Sequence, residues 1–137
     1  MLPLGQWEQV TLHPFIQQFG VIGNGTDPAD GSAVVQKLAG SAELSVLTAI
    51  GITIGLIILF HGVARLTQES GDALSSLGLK FIIVGTAGWV VGNGITASIA
   101  GDISNGGLYG AALGINQFSA IVFSLGFAAI NLGIAGR

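Results

Sequence analysis

The fold of this chain turns on two stretches, LSVLTAIGITIGLIILFHGVA at residues 44–64 and FIIVGTAGWVVGNGITASIA at residues 81–100. The first runs 21 residues and the second 20 without an Asp, Glu, Lys or Arg. At about 1.5 Å of rise per helical residue, each crosses the roughly 30 Å hydrocarbon core of a bilayer. Between them stand Arg65, Glu69, Asp72 and Lys80, four of the eleven residues of those types in the chain. The pattern predicts an all-α fold built on a transmembrane helical hairpin with a polar hinge.

Local signals set the boundaries. Ser41 is placed to cap the first long helix, with Glu43 in its first turn and Arg65 near its end, both charges complementing the helix dipole. Gly71 suits the position just past a helix, where a left-handed backbone favours glycine. Asp72 suits the cap of the next helix. Helices are therefore expected at about 42–70 and 73–100, antiparallel across a tight turn. Lys80 near the start of the second helix and Asp102 at its end oppose that helix's dipole. Topology accounts for them instead: Arg65 and Lys80 flank the hinge and only Lys37 lies on the other side of the hairpin. The positive-inside rule then predicts a cytoplasmic hinge at 66–79, with the N-terminal arm and Asp102 outside.

Glycine makes up 23 of 137 residues, roughly twice the usual share, with no Gly-X-Y period to suggest collagen. Gly78, Gly85 and Gly92 recur every seven residues, in phase with Gly71, and Gly88 forms a Gly-xxx-Gly pair with Gly92. Such a row is nearly free of side chain and lets another helix approach closely. The first helix offers Gly51 and Gly55 in return. Outward from the hairpin, residues 102–107 (DISNGG) read as a short loop. A third apolar segment follows at 108–135, LYGAALGINQFSAIVFSLGFAAINLGIA. On a helical wheel its Asn116, Gln117, Ser119, Ser124 and Asn131 fall within about half the circumference, with Phe118, Ile121, Leu125 and Leu132 largely opposite. A polar stripe of that kind suits a membrane helix facing protein or a water-filled lumen. If it spans, Arg137 lies on the hinge side.

Residues 1–40 are expected to form an extramembrane or interfacial arm, and residues 41–137 the helical membrane domain. In the arm, Phe15, Ile16, Phe19 and Ile22 follow a helical period behind Pro14, with Gln17 and Gln18 opposite. This is a short amphipathic segment for the interface or for neighbouring subunits. Residues 23–31 are a loop by their turn chemistry, and Asn24 opens a glycosylation-type triplet with Gly25 and Thr26. A short helical turn is expected around residues 33–38. The N-terminus shows no basic region followed by an apolar run and a small-residue cleavage site. Either no signal peptide is used or the chain is already mature.

Composition excludes several functions. Charged residues are 8% of the chain against about 25% in soluble domains, too few to solvate a water-facing surface. The net charge of −3 with scattered basic residues disfavours a nucleic-acid surface, and no sequence-specific nucleic-acid binding is expected. There is no cysteine, so no disulfide framework or thiolate metal site exists. His13 and His61 are isolated from each other and from carboxylates, which is no metal-site pattern. No carboxylate sits inside an apolar stretch, as a proton-carrying rotor subunit requires. No Gly-Lys-Ser/Thr ending marks a phosphate loop. Neither catalysis nor a cofactor is expected, bound phospholipid apart. The partners expected are membrane lipid and further copies of the chain.

Over residues 41–102, a helical hairpin with the basic hinge residues Arg65 and Lys80 and a glycine-rich second helix resembles the TrbC-type pilins of conjugative type IV secretion systems. The resemblance implies a hairpin held in the inner membrane and then drawn, with phospholipid, into a hollow extracellular filament. It implies that the hinge (Arg65, Glu69, Asp72 and Lys80) faces the lumen and that Gly78, Gly85, Gly88 and Gly92 pack subunits together. The third segment has no counterpart in those two-helix pilins. The expected function is that of a structural, self-assembling membrane protein, first as a pilus subunit. The alternatives are a structural membrane protein of a lipid-containing virion, whose Trp7, Phe15 and Phe19 contact coat proteins, and a holin-like pore former.

Overall fold

The computed structural model describes residues 26, 27 and 29–136. The amphipathic segment at 15–22, His13, Asn24 and Arg137 lie outside the described residues. Four α-helices follow in order, α1 (Gly31–Gly40), α2 (Ala42–Ser70), α3 (Ala73–Gly101) and α4 (Tyr109–Ala135), with a 3₁₀ helix (Ile103–Leu108) between the last two. No strand occurs among the described residues. The segments from α2 onward include three that are long and apolar enough to cross a membrane.

The hinge is held by two residues. Gly71 takes a left-handed backbone, φ 68°, which costs a residue with a Cβ about 1–2 kcal/mol. Its N–H donates to the Thr67 carbonyl and so ends α2. Asp72 then accepts from the Ser75 N–H at 2.6 Å and from the hydroxyls of Ser75 at 2.5 Å and Ser70 at 2.9 Å. One carboxylate thus closes α2 and opens α3. Ser41 occupies the N-cap of α2 but makes no side-chain cap bond. Instead its carbonyl accepts from the Ser45 hydroxyl, which also reaches the Leu38 carbonyl across the α1–α2 break.

At the other end of the hairpin, three expectations are revised. Asp102 does not merely trail α3: its carboxylate accepts from the Ser104 N–H at 2.9 Å and caps the 3₁₀ helix. Its position therefore has a local cause, independent of membrane topology. The stretch expected as a loop is this 3₁₀ turn, tied back to α3 by the Asn105 side chain on Ser98. Residues 31–40, assigned to the arm, are a full helix capped by Asp30. Its Val34 and Leu38 are buried against Ile99 and Ala100 of α3, with Val35, Ala42, Ile95 and Tyr109 around them.

Helix α3 is the centre of the molecule. It packs most extensively on α4 and next on α2, while α2 and α4 barely touch. A second cluster joins all three through Val63, Ile82 and Ile130, flanked by Phe60, Leu79 and Phe123.

Candidate functional site

The tightest interface is the seam between α3 and α4, and glycine makes it possible. A Cβ at Gly78 would stand 2.6 Å from the Gly126 carbonyl oxygen, and one at Gly85 would stand 2.9 Å from both the Ser119 carbonyl oxygen and the Phe123 nitrogen. At Gly88 it would collide with the Ser119 hydroxyl, and at Gly92 with the Asn116 side-chain oxygen. Helix α4 contributes its own glycine, Gly126, against Gly78 and Ile82. The Trp89 indole N–H donates to the Asn116 carbonyl at 3.2 Å, and its ring lies 4.9 Å from that of Phe123. Asn116 Oδ1 is buried without a hydrogen-bond partner, held against Gly92.

The glycine row therefore does not meet Gly51 and Gly55, and it is not left free to pack subunits. It is covered by α4 of the same chain. Gly51 and Gly55 are exposed, and a Cβ at either would meet nothing within 4 Å. The physical reason is bulk. Where α2 meets α3, Val63 and half-buried Phe60 pack in one cluster with Ile82 and Leu79, so side chains and not glycines fill that contact. One polar tie crosses that interface, from Asn93 Nδ2 to Thr53 Oγ1 at 3.5 Å.

The polar stripe of α4 divides. Asn116 and Ser119 enter the seam, whereas Gln117, Ser124 and Asn131 are exposed. At the hinge end Arg65, Glu69 and Lys80 are exposed and Asp72 is half-buried. Gly133 lets the end of α4 close on Asp72 and Ser75. His61 is exposed on α2. Among the described residues no group of three His, Cys, Asp or Glu side chains could hold a metal. The surface recesses are open hollows, one lined by Ala42, Glu43, Val46 and Leu47, another by Leu66, Glu69, Ser70 and Ile134.

What remains is the apolar exterior. Only 11%, 28% and 22% of the most apolar windows of the three long segments are buried. Leu47 is 65% exposed, Ile58 68%, Phe118 63% and Leu132 65%. In water such faces would cost roughly 25 cal/mol for each Å² left uncovered, so lipid or other protein must cover them. The sequence pointed to the glycine row but not to Gly126 or Trp89. One glycine among several on α4 and the tryptophan of α3 acquire meaning only when the two helices are paired. No family model, no curated protein and no solved structure matches this chain.

Proposed function

We propose that this chain is a structural membrane protein that assembles with copies of itself. The observation that carries the reading is the apolar exterior of α2, α3 and α4. A subunit of this kind has its outer surface as its functional part. The specific assembly we propose is a lipid-containing filament of the conjugation type, with the exposed charges Arg65, Glu69 and Lys80 at one end of the hairpin forming its polar surface. Before assembly the hinge would lie on the cytoplasmic side. The internal placement of α4 makes this a three-helix subunit, unlike the two-helix pilins.

The test is membrane fractionation followed by negative-stain microscopy of material purified in mild detergent and of material sheared from cells. Filaments containing phospholipid are the expected result. Icosahedral particles would replace the filament by a virion shell. A monodisperse monomer in both preparations would remove self-assembly altogether.

A further inference from the structure

Gln117, Ser124 and Asn131 form a polar row of seven-residue period on the exposed side of a membrane-length helix. Polar side chains at membrane depth face protein partners or water-filled cavities, and within the chain these three lie on the side away from α3. A second uncovered row runs along α2, where Gly55, Gly62 and Glu69 share the same seven-residue period and are likewise exposed. A Cβ at Gly55 or Gly62 would meet nothing within 4 Å.

The two rows lie at matching depth. Thr53 reaches Asn93, whose neighbour Gly92 faces Asn116. Val63 packs on Ile82, which faces Gly126. Both chains of contact set a residue of α2 level with the residue of α4 about 62 positions later, to within a residue or so at about 1.5 Å each. Gly55 is then level with Gln117, Gly62 with Ser124, and Glu69 with Asn131.

Their directions also agree. Around α3, the α4-facing row (Gly78, Gly85, Gly92) and Asn93, which reaches Thr53 of α2, are separated by roughly 80° at 100° per residue, with Ile82 between them touching both helices. Helices α2 and α4 therefore stand on adjacent sides of α3. On α2 the glycine row lies roughly 100° from Val63, which packs on Ile82 of α3, and on α4 the polar row lies roughly 140° from Ser119. With the right-handed sense of both helices, the two rows turn toward the same open side of the chain. A half-turn about the membrane normal then brings each row of one copy onto the other row of a second copy.

We propose that a second copy of this chain docks here in a two-fold dimer, with α4 of each copy laid in the glycine row of its partner's α2. The dimer rests on the self-assembly reading above and specifies one contact within it, a closed pair that other surfaces would extend into a filament. The pairing repeats the solution used inside the chain, where glycines of α3 receive Asn116 and Ser119 of α4. The Gln117 amide and Ser124 hydroxyl donate to backbone carbonyls that glycine leaves accessible, and the Asn131 amide donates to the Glu69 carboxylate. Both copies are fixed at one depth by their apolar spans, so the register within the chain carries over to the pair. The contact is isologous, so one set of residues is used twice.

The chain has no cysteine, which makes disulfide trapping direct. Leu59→Cys and Ala120→Cys, beside the two rows, are made as separate proteins and oxidised alone and mixed in native-like bilayers. A dimer-sized disulfide product in the mixture, absent from either protein alone, is expected. Gln117→Cys joining to itself would overturn the proposal in favour of paired α4 helices. Labelling of Gln117→Cys by a membrane-impermeant maleimide in the assembled protein would overturn it in favour of a wet lumen. Gly55→Leu, with open space around it in the single chain, is expected to shift the oligomer to monomer at unchanged helix content. An unshifted oligomer without the mixed crosslink would sink this contact and leave self-assembly standing. A wild-type monomer by light scattering would remove both.

Discussion

Gly85→Ala is the sharpest probe of the α3–α4 seam, because the obstacle it meets is largely backbone. The added Cβ would lie 2.9 Å from the Phe123 nitrogen, the Phe123 Cβ and the Ser119 carbonyl oxygen. No rotamer change relieves such a contact, so α4 must move. Reaching 3.4 Å, where ordinary van der Waals contact begins, takes a separation of about 0.5 Å. A gap of that size forfeits about a quarter of the attraction of every contact along the seam, and overpacking of this kind costs about 1–3 kcal/mol. Subtracting the roughly 1 kcal/mol that alanine gains in helix propensity leaves about 0–2 kcal/mol, centred near a loss of about 1 kcal/mol. Gly55→Ala, with nothing within 4 Å, meets no such obstacle in the single chain. The measurement is SDS-induced unfolding in mixed micelles. Trp7→Phe serves as background, so that Trp89, 4.9 Å from Phe123 across the seam, is the only tryptophan. If Gly85→Ala unfolds at the same SDS fraction as its parent or a higher one, the close-packed seam is refuted.

Three further outcomes are expected. Asp72→Ala removes the acceptor for the Ser75 N–H and for two hydroxyls, and should lower stability by about 0.5–2 kcal/mol in the same titration. Gly71→Ala forces a Cβ into a left-handed backbone at φ 68° and should cost about 1–2 kcal/mol, with local hydrogen exchange rising at residues 67–72. The third concerns pH. The Ala33 N–H, followed by the Ser32 hydroxyl, holds the Asp30 carboxyl below its ordinary 3.8. The Ser104 N–H, followed by its hydroxyl, does the same for Asp102. A value depressed by folding contributes stability above the unfolded carboxyl value and loses it as pH falls through the lower folded one. Thermal unfolding in detergent should therefore be flat with respect to these two groups above about pH 5 and decline below about pH 4. Asp102→Asn should make that decline shallower, and an unchanged acid limb would contradict the role of the cap.

Much of the architecture was legible because it depends on neighbours in sequence. Uncharged runs of membrane length, a Gly71-Asp72 pair between them and a third apolar segment specify helices and a turn through propensity, capping and desolvation. Those forces act within a few residues. The same reasoning located the close-packing face of α3, since Gly78, Gly85 and Gly92 mark one side of a helix at any depth. The role of Asp102 was less legible: its partner Ser104 is two residues away, in a short 3₁₀ turn that hydrophobic periodicity does not reveal.

Neighbours in sequence thus suffice to set the three long helices, the reversal between α2 and α3, and an apolar exterior. Which helix meets which is settled by packing alone. The glycines of α3 close on α4 and not on α2, because α2 meets α3 through the side chains of Val63 and Phe60 while Gly126 and Ser119 let α4 come in. The polar residues of α4 are divided between that seam and the exterior. Residues 31–40 dock on the end of α3. In an apolar solvent each helix gains little by burying one greasy face over another, so hydropathy cannot choose its neighbour. Shape at close range makes that choice, and shape is a property of two surfaces brought together.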